Sequence, residues 1–182
     1  MGWFQDVSDA VYLALCAVFG INPESPASLK RFVPAYIENA TNIQAPRNMD
    51  ICYFAISEVQ DSGFDYIQLN DITVGGIPEV RMKRTIPVSV LLTFYGSNAD
   101  DDAEKFWSDF QWDSGSNSAR AVLRKRNIAP IGKPERPVSL FETEGTYHRR
   151  RCDVRLGLAY LYITDGHSGY VDSPPEILID ND

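Results

Sequence analysis

Residues 84–110 read RTIPVSVLLTFYGSNADDDAEKFWSDF, and this stretch decides the fold. Its first half carries Ile86, Val88, Val90, Leu92 and Phe94 on every second position. Successive side chains of a strand point to opposite faces, so five large apolar groups share one face. Thr85, Ser89 and Thr93 share the other. Gly96, Ser97 and Asn98 then stop the strand. Asn98 or Ser97 is placed to cap a helix whose first turn holds Asp100, Asp101 and Asp102, where carboxylates meet the positive end of the helix dipole. Ala103, Phe106, Trp107 and Phe110 follow at helical spacing and form one apolar stripe. A one-faced strand and a one-striped helix bury their apolar surfaces by packing together, so this unit is the expected core.

Upstream, Phe4, Val7, Val11, Ala14, Leu15 and Val18 recur at helical spacing, with Asp6 and Asp9 in the first turns and Gly20 at the end. Residues 21–48 carry Pro23, Pro26, Pro34 and Pro46, which argues against a long regular element and leaves room for a short extended piece at Arg31–Tyr36. Ile51–Val59 is rich in Ile, Tyr, Phe and Val and reads as a buried strand. Asp61-Ser62-Gly63 reads as a turn. Asp65–Glu79 contains Gly75-Gly76 and Pro78 and reads as a mobile excursion, or arm, between the first two sheet strands. No phosphate-loop glycine pattern accompanies the glycine pair, so a plain turn is expected there.

Downstream, residues 113–118 are a polar linker. Ala119–Arg126 reads as a short helix with Arg124, Lys125 and Arg126 at its end, where the dipole favours cations. The final strand alternates cleanly: Cys152, Val154, Leu156, Leu158 and Tyr160 face the core, and Arg149, Arg151, Asp153 and Arg155 face away. Residues 166–182 are expected to leave the domain as an extended arm. Ile177, Leu178 and Ile179 form a docking strand in it, able to lie on a neighbouring copy.

Several of these stretches carry a resemblance. Leu92-Thr93-Phe94-Tyr95-Gly96-Ser97-Asn98-Ala99-Asp100, followed by Asp102-Ala103-Glu104, resembles the strand-turn-helix of the tailed-bacteriophage neck (tail) terminator proteins. Asp101-Asp102-Ala103 stands where that family has Asp-Asn-Ala. Ala45-Pro46-Arg47 is similar to the loop leading into the family's first strand. Ile128-Ala129-Pro130-Ile131 and Lys133-Pro134-Glu135-Arg136-Pro137-Val138 resemble its Ile-x-Pro strand and the Asp-Pro-Arg loop after it, with Glu135 in place of Asp. Phe141–Arg150 resembles its acidic segment followed by Tyr and Arg. The resemblance implies an α/β (α+β) domain over residues 1–165: a central mixed or antiparallel sheet of about four long strands with helices packed on it. It also implies a virion structural protein that forms a sixfold ring between the head-completion or connector proteins and the tail tube. Such a ring ends tube growth and passes genomic DNA through its lumen.

Composition is ordinary for a globular protein. The 182 residues are 44% hydrophobic and 23% charged, enough for one domain with a real core. A net charge of -8 argues against a general nucleic-acid binder, which needs a basic surface, but suits a wall past which DNA slides. Met1–Asp9 holds no basic residue, so no signal peptide is expected, and the apolar run Ala10–Phe19 is too short to span a bilayer. Cys16, Cys52 and Cys152 are odd in number and widely spaced, as expected of reduced, buried thiols in a protein made in the host cytoplasm.

No catalytic constellation emerges. His148 and His167 have no Cys or His at ligand spacing. Asp100, Asp101 and Asp102 are consecutive on a helix, point in different directions and do not converge on a cation. No metal, cofactor or catalytic residue is expected. Arg149, Arg151 and Arg155 are the dense basic feature. Three cations on one sheet face repel unless anions of this chain or of a neighbour meet them, so they are the expected subunit interface of a head-to-tail ring. Weighed against this are another head-tail connector or baseplate adaptor, a small enzyme using His148 or His167, and a nucleic-acid module using Arg149–Arg155.

Overall fold

The computed structural model describes residues 2–35, 49–59, 67–74, 77–113, 115–144 and 147–166. In chain order they form α1 (Trp3–Phe19), α2 (Pro26–Arg31), β1 (Phe32–Pro34), β2 (Ile51–Glu58), β3 (Ile67–Val74) and β4 (Ile77–Tyr95). Then come α3 (Ala99–Trp112), α4 (Ala119–Arg124), β5 (Ile128–Pro130), β6 (Val138–Glu144) and β7 (Tyr147–Gly166).

The alternation in residues 86–94 and 152–160 sets the middle of the sheet. β4 and β7 pair antiparallel with Phe94 opposite Cys152, Leu92 opposite Val154, Val90 opposite Leu156, Val88 opposite Leu158 and Ile86 opposite Tyr160. All ten side chains are buried. α1, α3 and α4 cover this face with Val7, Leu15, Ala103, Phe106, Phe110 and Leu123, and β2 adds Cys52 and Phe54. Each fully buried Leu or Phe contributes about 1.5–3 kcal/mol, so this layer is the main source of stability.

The sheet order is β1-β2-β4-β7-β5, with β3 beside β4 and β6 beside β7. Among the described residues only β1 and β2 pair in parallel, so the sheet is mixed and the α+β class is as expected. Among the described residues it has seven strands, and four of them, β2, β3, β4 and β7, have eight residues or more, in line with the about four long strands expected. The additional strands are partners of the long ones. β4 has 19 residues and β7 has 20, about 60 Å each, and the helices cover only part of that length.

Two stretches are strand where the sequence pattern showed none. The excursion expected at 65–79 is strand wherever it is described: β3 pairs with β4 from Ile67 opposite Arg84 to Val74 opposite Ile77. Gly75 and Gly76 lie between those last partners and outside the described residues. The segment after Val138, read only as an acidic stretch leading to a Tyr and arginines, is β6, paired with β7 from Val138 opposite Asp153 to Glu144 opposite Tyr147.

Local chemistry explains the helix ends. Gly20 closes α1 at φ 65, with its N–H on the Ala17 carbonyl. Phe4, expected in the stripe, lies outside the core and is 40% exposed. α2 is a short helix in the proline-rich region where no long regular element was expected. Ser25 Oγ accepts from the Ser28 N–H at 3.2 Å, and Pro26 sits at the first helical position. Ser118 caps α4 in the same way through Ala121 N–H. Asn98 occupies the cap position of α3 without a capping bond from its side chain. Asp50 takes that side chain instead. The turn expected at 61–63, the loop at 45–47 and the arm after Gly166 lie outside the described residues.

Candidate functional site

The helices gather on one face of the sheet. The other face holds Tyr95 of β4, Arg149, Arg151, Asp153 and Arg155 of β7 and Glu142 of β6, brought together by the β4–β7 and β6–β7 registers. Arg151 grips Asp153 with both ends of its guanidinium: Nε donates to Oδ1 at 2.8 Å and Nη2 to Oδ2 at 2.7 Å. Residues two apart on a strand share a face, which makes this fork possible. The Asp153 bond, first, raises the Arg151 pKa above its ordinary value. Glu142 stands 4.0 Å from Arg151 and accepts the Tyr95 hydroxyl at 2.8 Å. The Arg149 guanidinium lies 4.3 Å from the Tyr95 ring centroid, within cation–π range. Burial, then the bond to Glu142, pushes the Tyr95 hydroxyl up to about 12.

Anions of the same chain thus already meet Arg151, and an aromatic face meets Arg149. Arg155 is set apart: it is exposed and has no ion pair among the described residues. It borders a shallow groove of about 330 Å³ with Val59, Ser89, Lys133, Glu135 and Gly157. Tyr95 and Glu142 were not among the expected site residues. A hairpin reading of 138–150 puts Glu142 opposite Arg149, and that pairing is the signal in the sequence.

Arg150 points to the other face and pairs with Asp100, which also accepts the Ser139 hydroxyl at 2.6 Å. The Ser139 bond, first, and then Arg150 outweigh burial and hold the Asp100 carboxyl below its usual range. Asp102 takes Arg31 at 2.8 Å, yet burial outweighs that cation and raises its pKa. Asp101 is exposed. The three carboxylates therefore diverge, and no metal-holding cluster exists among the described residues.

His148 is exposed, with Nδ1 3.3 Å from Thr143 Oγ1 across the β6–β7 hairpin. His167 lies outside the described residues. All three thiols are buried, and burial raises each: Cys52 well above the ordinary value and Cys152 to about 11. Such thiols are poor nucleophiles at neutral pH. No described helix is long and apolar enough to cross a membrane.

The outer strand β6 shows large apolar groups to solvent. Val138 is 51% exposed, Leu140 42% and Phe141 77%. An edge strand with apolar side chains and open backbone groups is a template for another chain unless something covers it.

No curated protein matches the sequence. A family model matches residues 5–178, nearly the whole chain, and its family is described as phage neck terminator protein. That match spans far more than half of the sequence, and the chain belongs to the phage neck terminator protein family.

Proposed function

We propose that this protein is a structural part of the phage neck, in which copies close into a ring, most simply of six, that ends the tail tube and joins it to the head-completion proteins. The family match over residues 5–178 carries this reading. The open face supports it. Val138 and Leu140, exposed on that face, with Phe141 exposed on the other side of the same edge strand, offer the apolar part of a subunit contact, and the strip Arg149, Arg151 and Arg155 offers the polar part. Within that strip Arg155 is the cation left for an acidic surface of the next copy, while Arg149 and Arg151 shape the wall around Tyr95. A head-to-tail contact of this kind closes when its rotation divides a full turn.

Residues 1–165 act as one domain and 166–182 as an arm. The work is binding, not catalysis: shape and charge complementarity to ring-shaped neighbours in the virion. The net charge of -8 suits a lumen that DNA crosses without sticking. The test is native mass against protein concentration, with negative-stain images of the same samples. A closed ring with a hole wide enough for duplex DNA is the expected result. A compact dimer that buries β7 in a two-fold contact overturns the reading.

A further inference from the structure

We infer that the groove between α1 and α4 is the docking site of this chain's own last segment, with Ile177, Leu178 and Ile179 on its floor and Glu176, Asp180 and Asp182 against Lys125 and Arg126 at its rim. The inference stands apart from the ring.

The groove encloses about 640 Å³. Its floor is apolar, built from Leu13 and Ala17 of α1, Ile21 and Pro23 of the following turn and Val122 of α4. Lys125 and Arg126 stand over one end and are exposed. Their neighbour Arg124 is engaged by Asp113. Among the described residues Lys125 reaches only the Ser116 carbonyl, at 3.4 Å, and Arg126 has no ion pair. Cations at a helix end are favoured by the dipole, which explains their presence on α4. The dipole does not explain why they border an open apolar trough.

The chain carries the complement. Residues 167–182 hold Asp172, Glu176, Asp180 and Asp182 and no Lys or Arg, so four of the eight net negative charges lie there. Within them Ile177-Leu178-Ile179 is a run of three large aliphatic residues flanked by Glu176 and Asp180. Left in water, that run has nothing to bury against.

The path permits it. The Leu161 N–H of β7 donates to the Asn127 carbonyl at 2.9 Å, so the strand passes beside the residue that follows Arg126. β7 continues five residues further, about 17 Å, to Gly166. The ten residues 167–176 span up to about 35 Å when extended, enough to turn back to the groove. Exposed ion pairs contribute little, so apolar burial supplies the affinity and the two cations set direction and register.

The test is disulfide trapping in the full chain. Val122→Cys with Leu178→Cys is built on a Cys16→Ala background, which removes the native thiol that lines the groove. The control pairs Leu178→Cys with Trp112→Cys, an exposed site at the far end of α3. The expected result is a bond within one chain, at a yield several-fold above the control and cut several-fold by Lys125→Glu with Arg126→Glu. A yield equal to the control overturns the proposal, and so does a bond formed only between copies. Hydrogen exchange gives an independent reading that needs no engineered thiol. Ile177→Asp with Ile179→Asp should speed exchange at the α1 and α4 amides around the groove several-fold. Unchanged exchange there overturns the proposal too.

Discussion

Asp50 holds Asn98 twice: Oδ1 accepts the Asn98 backbone N–H at 3.1 Å, and Oδ2 accepts its side-chain amide at 2.8 Å. The contact joins the entry of β2 to the turn between β4 and α3, the turn on which the family resemblance was first legible. It also explains the glycine two residues earlier. Gly96 has φ 117, and a Cβ added there would stand 2.8 Å from Asp50 Cα.

Gly96→Ala is therefore expected to destabilise the fold by about 2–4 kcal/mol, from backbone strain and overpacking together. Asp50→Ala, which removes two hydrogen bonds at an exposed turn, is expected to lose about 1–2 kcal/mol. Urea unfolding of the two variants checks the order. Equal small losses would mean that the turn relaxes freely.

The Arg31–Asp102 pair joins α2 to the first turn of α3 and is half-buried. Burial already raises the Asp102 pKa, so its folded value exceeds its unfolded one and the ionised form weighs on the folded state. Replacing Arg31 by Met removes the opposing cation and raises that pKa further. The expected loss is about 1–2 kcal/mol at neutral pH, discounted for exposure. The difference from the parent protein should shrink as the pH falls and Asp102 takes up its proton. Melting temperatures at neutral and mildly acidic pH report it. A gap that widens on acidification counts against this account.

Tyr160 donates its hydroxyl to Asp6 at 2.8 Å, which ties β7 to α1. Burial, then Asp6, pushes it from 10.0 up to about 12. A folded pKa above the unfolded one contributes stability that is complete below about 10 and lost as pH rises toward about 12. Tyr95 behaves in the same sense. Alkaline titration of phenolate absorbance is expected to show a late-ionising group that Tyr160→Phe removes. No change in the late phase would refute the assignment.

The ring contact is testable without disturbing the core. Leu140 and Phe141 are exposed on β6, so Leu140→Asp with Phe141→Asp should leave the melting temperature near that of the parent and abolish higher-order assembly. Arg155→Glu should weaken assembly, most at low salt, where exposed charges are least screened. Native mass spectra across concentration decide the matter. Rings that persist in both variants would move the interface elsewhere.

The sequence by itself determined the two-layer core. A strand buried on one face must alternate, so residues 86–94 and 152–160 announced the middle of the sheet, and the helical stripes of α1 and α3 announced their cover. β6 escaped this reading because Val138, Leu140 and Phe141 are exposed and fall on both faces, which leaves no single buried face to impose a period. α2 escaped because six residues are too few to show one, although Ser25-Pro26 marked its start. Only the tertiary structure decided the basic strip. The pairing register set Glu142 opposite Arg149 and brought Tyr95 between the guanidinium groups, so two of the three like charges joined one cluster with Tyr95, Glu142 and Asp153 and Arg155 stayed exposed. Burial periodicity is a property of a single segment and is written along the chain. Charge pairing across strands depends on distances between segments, and those exist only once the sheet has closed.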